Sequence, residues 1–161
     1  MSGRHIRVLL PLQKLQLWDS GQVIREYPIS TSAYGAGELQ GSKRTPRGQH
    51  EIAEKIGHGQ SANAVFVSRR ATGEVCTPDL LKSQPDRDWI LSRILWLRGL
   101  EDGRNKGGAV DTESRYVYIH GTPYEDLIGQ PASDGCIRMR NSDVIELFDL
   151  VEEGAAVEII E

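Results

Sequence analysis

No stretch of this 161-residue chain is apolar enough to cross a bilayer, which takes about 20 apolar residues in succession. The nearest candidate, residues 8–12, is broken by Pro11 and followed at once by Gln13 and Lys14. It also falls short of the roughly 7–15 apolar residues at the heart of a secretion signal. A cytoplasmic protein without a membrane association is therefore expected. Dense blocks of basic charge are missing as well. Lys and Arg total 19 against 23 Asp and Glu, for a formal net charge of −4. Nucleic-acid binding leaves a basic stripe, so no nucleic-acid partner is expected. Cysteine is scarce, with Cys76 and Cys136 alone, and in a chain read as cytosolic this argues against a structural disulfide. There are no internal repeats or low-complexity tracts, and no signal for an oligomeric state.

What is present fits one packed domain over residues 1–161, with 39% hydrophobic and 26% charged residues. Residues 5–10, 15–18 and 23–29 read as strands, the last two joined by a turn at Asp19-Ser20-Gly21-Gln22. Residues 30–47, rich in Ser, Gly and Thr, read as a long surface loop. Its Gly35-Ala36-Gly37 lacks the spacing and the lysine of a phosphate loop. Short strands are expected at 50–56 and 65–67. The apolar run 89–97 is strand-like core, 99–113 is a second loop, and 116–120 is a strand. Asn141 or Ser142 can cap a helix whose apolar face is Val144, Ile145, Leu147, Phe148 and Val151. Gly154 then stops it before a last strand at 155–160. The result is a mostly β (α+β) domain with one helix near the C-terminus.

Strand alternation points the reactive residues in useful directions. In residues 116–120 it sends Val117 and Ile119 to the core, and Tyr116, Tyr118 and His120 to the other face. In residues 136–140 it buries Ile137 and Met139 and groups Cys136 with Arg138 and Arg140. A thiol beside two arginines is a plausible nucleophile, because positive charge enriches the thiolate and a nearby imidazole can take its proton. A lone cysteine is otherwise most often an inert buried hydrophobe. Cys76, before Thr77-Pro78, matches no motif and reads as structural. His5, His50 and His58 are scattered. A zinc site from His120, Asp134 and Cys136 has no evident fourth ligand, so no metal is expected.

The string Ile119-His120-Gly121-Thr122, followed by Ile128-Gly129 and then Ser133-Asp134-Gly135-Cys136-Ile137-Arg138-Met139-Arg140-Asn141, resembles the signature of the L,D-transpeptidase catalytic domain. This is the YkuD-type family of cysteine acyltransferases acting on peptidoglycan stem peptides. Ser30-Thr31-Ser32, Thr45-Pro46-Arg47-Gly48 with Ile52, and Arg115-Tyr116-Val117-Tyr118 resemble its other segments, with residues 57–113 the weakest part of the match. The resemblance implies a YkuD-type β-sandwich. It assigns Cys136 as nucleophile and His120 as general base, and it places a backbone carbonyl near Gly121 to orient the imidazole. Backbone N–H groups around Gly135 and Cys136 would form the oxyanion hole. Ser133, Asp134, Arg138 and Tyr118 become candidate substrate-binding residues. Arg138 would hold a substrate carboxylate or brace the loop. Asp134 replaces the family's usual histidine. A carboxylate there would oppose thiolate formation, pair with Arg138, or receive a substrate ammonium. Tyr118 and Tyr124 would line the cleft or simply pack.

The chemistry so implied is two-step acyl transfer through a thioester, without a cofactor. An amine acceptor would give a crosslink, whereas water would make the enzyme an L,D-carboxypeptidase. With no export signal read in the chain, the expectation is a cytoplasmic L,D-carboxypeptidase that trims the terminal D-alanine from muropeptide or free stem tetrapeptides during recycling. The alternatives are a crosslinking L,D-transpeptidase, and a non-catalytic muropeptide-binding module with Asp134 marking a decayed site.

Overall fold

Alternation of apolar and polar side chains sets the first strands. In β1 (Arg4–Leu9) Ile6 and Val8 face inward, and in β2 (Lys14–Asp19) Leu15 and Leu17 do the same. A pleat with a two-residue period requires this. A turn at Ser20 and Gly21 returns the chain as β3 (Gln22–Ser30), antiparallel to β2. The last strand, β10 (Ala156–Ile160), lies parallel to β1 and antiparallel to β4 (Gly48–Ile56). β7 (Ile90–Gly99) is apolar at most positions because both of its faces are covered. One end of β7 pairs with β4 and the other with β5 (Ala64–Val67), whose hairpin partner is β6 (Arg70–Val75). β8 (Tyr118–Gly121) runs antiparallel to β7 and parallel to β9 (Ile137–Met139), which pairs with β3. The order β4-β10-β1-β2-β3-β9-β8-β7 thus closes on itself through the β4–β7 pairing, and the β5–β6 hairpin projects from β7. The computed structural model describes residues 3–161.

The main core lies inside this closed sandwich, where Leu17, Leu97, Ile119 and Met139 meet. Helix α2 (Asn141–Leu150) packs Val144, Leu147 and Phe148 into it. The opposite face of β7 and β8 carries Ile94 and Tyr118 against Phe66 of β5. Because side chains alternate, Val117 and Ile119 enter the main core while Tyr118 and His120 are directed to the second face. Among the described residues no helix is long and apolar enough to cross a membrane.

Several expectations need correction. β6 and the short helix α1 (Pro78–Ser83) escape the periodicity reading because neither buries a residue. β6 is held by its hairpin pairing, and α1 by the Thr77 hydroxyl, which accepts from Leu80 N–H at 3.1 Å. Tyr116 is not in the strand. It sits at φ +57°, half exposed, and β8 begins at Tyr118. Neither Asn141 nor Ser142 caps α2, since Arg140 occupies the N-cap without a side-chain bond and the Asn141 side chain turns inward. Arg140 is exposed at the start of that helix and does not share the face of Cys136 and Arg138. Loop 30–47 is only partly a surface loop, because Thr31, Ser32 and Thr45 are buried beneath the turn that precedes β9.

Candidate active site

Two parallel neighbours bring the reactive residues together. β8 and β9 pair in the register Ile119 with Ile137 and His120 with Arg138, which sets Cys136, one step before β9, beside Tyr118. The Tyr118 N–H donates to Cys136 Sγ at 3.4 Å, and the thiol lies 3.6 Å from the Tyr116 carbonyl, which can accept its proton. Cys136, His120, Arg138, Tyr118, Ser133 and Asp134 all border one cleft of about 690 Å³. Both cysteines are free thiols. No group of three or more His, Cys, Asp or Glu among the described residues is arranged to hold a metal ion.

His120 is 3% exposed, and its Nδ1 lies 2.7 Å from the Gly121 carbonyl. A carbonyl can only accept, so Nδ1 carries the proton and Nε2 keeps a free lone pair. Gly121 is obligatory on packing grounds. A Cβ there would lie 2.7 Å from the Leu91 carbonyl and would also strike Asn141 Oδ1. Burial pulls the His120 imidazole down to about 4, with Arg138 pushing the same way and the Gly121 carbonyl and Asp88 opposing. The Cys136 side chain reaches the cleft with part of its surface, yet protein encloses most of the sulfur. Burial pushes this thiol up to about 11, with Asp88 adding to the rise and the Tyr118 N–H, Arg138 and Arg115 opposing it. The expected thiolate-rich environment is therefore not what the fold builds. At neutral pH the resting pair is a neutral thiol and a neutral imidazole.

The turn that presents Cys136 is pinned from loop 30–47. Ser133 is buried, and its hydroxyl donates to the Cys136 carbonyl at 2.6 Å and accepts from Gly135 N–H at 3.2 Å. Thr45 Oγ1 donates to the Gly135 carbonyl at 3.0 Å, and the Ser133 N–H donates to the Thr31 carbonyl at 2.9 Å. Gly135 itself adopts φ +126°, a conformation that side chains rarely allow. Two readings change as a result. The Ser133 hydroxyl is a scaffold for the turn, although the residue borders the cleft. The Gly135 N–H is already engaged, which leaves the Cys136 N–H, with no acceptor among the described residues, as the open donor of the pair.

Arg138 braces the loop, one of its two expected roles, and its guanidinium also faces the cleft. It donates to the Ala132 carbonyl at 3.4 Å as a brace, lies 6.0 Å over the Tyr124 ring, and still borders the cleft. No ion pair joins it to Asp134, which is exposed at the rim. The carboxylate that acts on both Cys136 and His120 is instead Asp88, a residue missed in the weakly read segment 57–113. Its neighbour Trp89 is buried and capped by Arg87, whose guanidinium sits 4.7 Å over the ring and is bonded to Glu74. Arg69 and Arg115 complete the wall. Arg115 donates to the carbonyls of Glu38 at 3.1 Å and Arg44 at 2.6 Å, tying loop 30–47 to the approach to β8. The Tyr118 ring is buried edge-on to Trp96, and its phenol, raised by burial, accepts from Arg69 at 3.0 Å. His50 is a satisfied core histidine, bonded to the Gly48 carbonyl and the Thr112 hydroxyl. Cys76 lies outside the cleft.

A closed β-sandwich that sets an oriented imidazole on one strand and a thiol at the entry to its parallel neighbour has the architecture of a cysteine acyltransferase domain. The family model described as L,D-transpeptidase catalytic domain (YkuD) matches residues 3–159, and the chain belongs to that family. A Bacillus subtilis (strain 168) protein provisionally named L,D-transpeptidase YkuD is 43% identical over 61 residues, covering 35% of this chain and 37% of the relative. A Salmonella typhimurium (strain LT2) protein named probable L,D-transpeptidase ErfK/SrfK is 49% identical over 47 residues, covering 29% of this chain and 15% of its own length. Among solved structures, an L,D-transpeptidase from Mycobacterium smegmatis superposes with a TM-score of 0.58 at 18% identity, covering 99% of this chain and 59% of that one. A mutant of the Enterococcus faecium L,D-transpeptidase gives a TM-score of 0.60 at 18% identity, covering 98% and 50%. These structural matches show the fold. The matched segments span less than half the length of the two curated relatives.

Proposed function

We propose that this domain catalyses cysteine-dependent acyl transfer on peptidoglycan stem peptides, with Cys136 as nucleophile and His120 as general base. The observation that carries the reading is the orientation of His120. The Gly121 carbonyl holds Nδ1–H at 2.7 Å and leaves Nε2 free to take a proton within the cleft that Cys136 borders. In the first step Cys136 transfers its proton to His120 Nε2 while sulfur bonds to the carbonyl carbon at the L-centre. The tetrahedral oxyanion is received by the Cys136 N–H, where a preorganised donor supplies about 3–4 kcal/mol. The carbon–nitrogen bond to the terminal D-alanine breaks as His120 returns the proton to the leaving amine, and a thioester remains. In the second step the acceptor gives its proton to His120 and its lone pair to the thioester carbon, and sulfur leaves to recover the proton.

The finer reading is that water is the acceptor, which makes the enzyme a cytoplasmic L,D-carboxypeptidase acting on recycled tetrapeptides. A crosslinking transpeptidase would use the same residues with an amine in place of water. Arg138 supports recognition of a carboxylate, since its guanidinium borders the cleft two residues along the chain from Cys136 and opposite His120 in the strand register. Mass spectrometry of a disaccharide-tetrapeptide incubated with the protein, with and without an added D-amino acid, separates the outcomes. Loss of one alanine, with neither exchange nor dimer and nothing from Cys136→Ala, supports the carboxypeptidase. Exchange or dimer products make transpeptidation the activity. An unchanged substrate, with free tetrapeptide also untouched, refutes catalysis and leaves a binding module. Cell fractionation tests the cytoplasmic setting.

A further inference from the structure

The β5–β6 hairpin turns through Ser68 and Arg69, both at positive φ (48° and 65°). Such a two-residue turn usually takes Asn-Gly, because an L side chain in the left-handed region costs about 1–2 kcal/mol. Arg69 accepts that cost and crosses to the wall of the cleft. Its guanidinium lies 4.6 Å over the Tyr116 ring and 5.2 Å over Trp96, and it donates to the Tyr118 hydroxyl at 3.0 Å. Tyr116 is itself held at φ +57°, and its ring lies 5.9 Å from Trp96. The backbones of these two tyrosines are what grip the sulfur, through the Tyr116 carbonyl at 3.6 Å and the Tyr118 N–H at 3.4 Å. We propose that Arg69 is a positioning residue for Cys136, which clamps the Tyr116 and Tyr118 rings so that their backbone groups fix the sulfur in place. This deepens the acyl-transfer reading and rests on it for its catalytic consequence.

Arg69 therefore acts through two tyrosines rather than as a charge beside the sulfur. The charged and titratable groups that act on Cys136 from the neighbouring elements are Asp88, Arg115, Arg138 and Tyr118, with His120 on the adjacent strand. Releasing the clamp frees the Tyr118 N–H that favours the thiolate, but burial is the larger influence on this sulfur, so the entry of water and the loss of the S–H acceptor outweigh that donor and favour the thiolate on balance. The catalytic step suffers at the same time, since a loosened nucleophile loses its alignment with the substrate carbonyl.

The test is iodoacetamide labelling of Cys136 against pH, read by peptide mass mapping so that Cys76 is scored separately, in wild type, Arg69→Ala, Arg69→Lys and Arg70→Ala. Arg69→Ala is expected to move the inflection of the rate profile down by about one unit and to speed labelling at pH 7.5 about tenfold. In turnover with the disaccharide-tetrapeptide, kcat should fall about tenfold with KM changed less than about twofold. Arg69→Lys, which keeps the cation over Tyr116 but not the planar fork, should fall between, and Arg70→Ala should match wild type. Tyr118→Phe keeps the ring and removes only the acceptor oxygen, and a smaller shift of the same sign is expected even if Arg69→Ala fails to fold. A wild-type profile in both Arg69→Ala and Tyr118→Phe overturns the proposal. So does an upward shift in Arg69→Ala, which would make Arg69 a simple charge stabilising the thiolate, or an equal shift in Arg70→Ala. The labelling arm needs no substrate, so an inactive wild type would refute the acyl-transfer reading while the clamp is still measured.

Discussion

Asn141 holds the end of β8 in place, and removing its side chain should be costly for the whole fold. Its Oδ1 accepts from the Ser92 hydroxyl at 2.6 Å, and its Nδ2 donates to the Thr122 carbonyl at 2.8 Å and to Glu125 Oε2 at 3.0 Å. The residue is 7% exposed, so few of these partners can turn to bulk water instead. Asn141→Ala strands the Thr122 carbonyl and one bond of Ser92, whose hydroxyl still accepts from Asn63 N–H at 2.9 Å. At about 1–3 kcal/mol for each stranded neutral group, reduced where water enters the new space, the expected loss is roughly 2–4 kcal/mol. Urea unfolding reads this directly. With a slope of about 2 kcal/mol per molar for a domain of this size, the midpoint should fall by about 1–2 M with the slope unchanged. Asn141→Asp sharpens the test, because it replaces the donor with a carboxylate oxygen facing a carbonyl and Glu125. Burial and that like charge raise the pKa of the new carboxyl above its unfolded value, so its ionisation costs stability as pH rises through that raised pKa. Relative to wild type, Asn141→Asp should therefore be most destabilised near pH 8 and recover toward pH 5, where the protonated carboxyl donates again. A loss under about 1 kcal/mol in Asn141→Ala, or wild-type stability of Asn141→Asp at pH 8, would refute the bonding argument.

Gly121→Ala should cost several kcal/mol and displace the carbonyl that orients His120, because its Cβ would sit 2.7 Å from the Leu91 carbonyl oxygen; thermal melting and turnover check the two effects separately. Gly135→Ala strains a residue at φ +126° without a steric clash, its nearest neighbour being the Arg44 carbonyl at 3.4 Å, so kcat should fall more than stability does. Stability should decline as pH falls from about 6.5 to about 4, because His50, pulled down to about 4 by burial, stays neutral in the fold while the unfolded chain binds a proton. His50 alone contributes up to about 3 kcal/mol to that decline, and urea melts at pH 7.5, 5.5 and 4.5 should show a shallower slope for His50→Gln.

The parts of the fold legible in sequence were those where burial repeats with a fixed period. Ile6, Val8, Leu15 and Leu17 alternate into the core, and Val144, Leu147 and Phe148 line one face of α2, so β1 and β2 fall within a residue or so of their expected limits, whereas α2 ends at Leu150, with Val151 already extended, before the stop expected at Gly154. β6 and α1 carry no such signal, since they are held by pairing and capping rather than by a buried stripe. At the site, the facing directions of Val117, Ile119, Ile137 and Met139 followed from alternation, and with them those of His120 and Cys136. The roles of Arg69, Asp88 and Asn141 were illegible because each acts across the fold, on partners 16 or more residues away, with no local pattern to mark it. Asp134 illustrates the converse. Its place in the motif drew attention, yet it is exposed at the rim, and the nearby carboxylate that perturbs the thiol comes from outside the motif.

The largest departure from sequence reasoning is electrostatic, and it bears on how the proposed chemistry starts. Two arginines beside a cysteine, counted by alternation, favoured an enriched thiolate. The fold removes one of them, Arg140, to the surface, and encloses the sulfur so that burial outweighs Arg138 and Arg115 together. The imidazole is displaced in the opposite sense, since Arg138, paired with it across the β8–β9 register, disfavours its charged form as well. A thiol near 11 and an imidazole near 4 do not exchange a proton at rest, because both ions would be less stable than both neutral groups. Thiolate character governs oxidation and alkylation, so Cys136 is expected to react slowly with small electrophiles at neutral pH, which the labelling rate of the wild type checks. Proton transfer then has to coincide with formation of the sulfur–carbon bond, when the negative charge leaves sulfur for a carbonyl oxygen that the Cys136 N–H can receive. General-base catalysis from a free Nε2 suits that coupled step, whereas a preformed ion pair would need both charges desolvated before any substrate is bound.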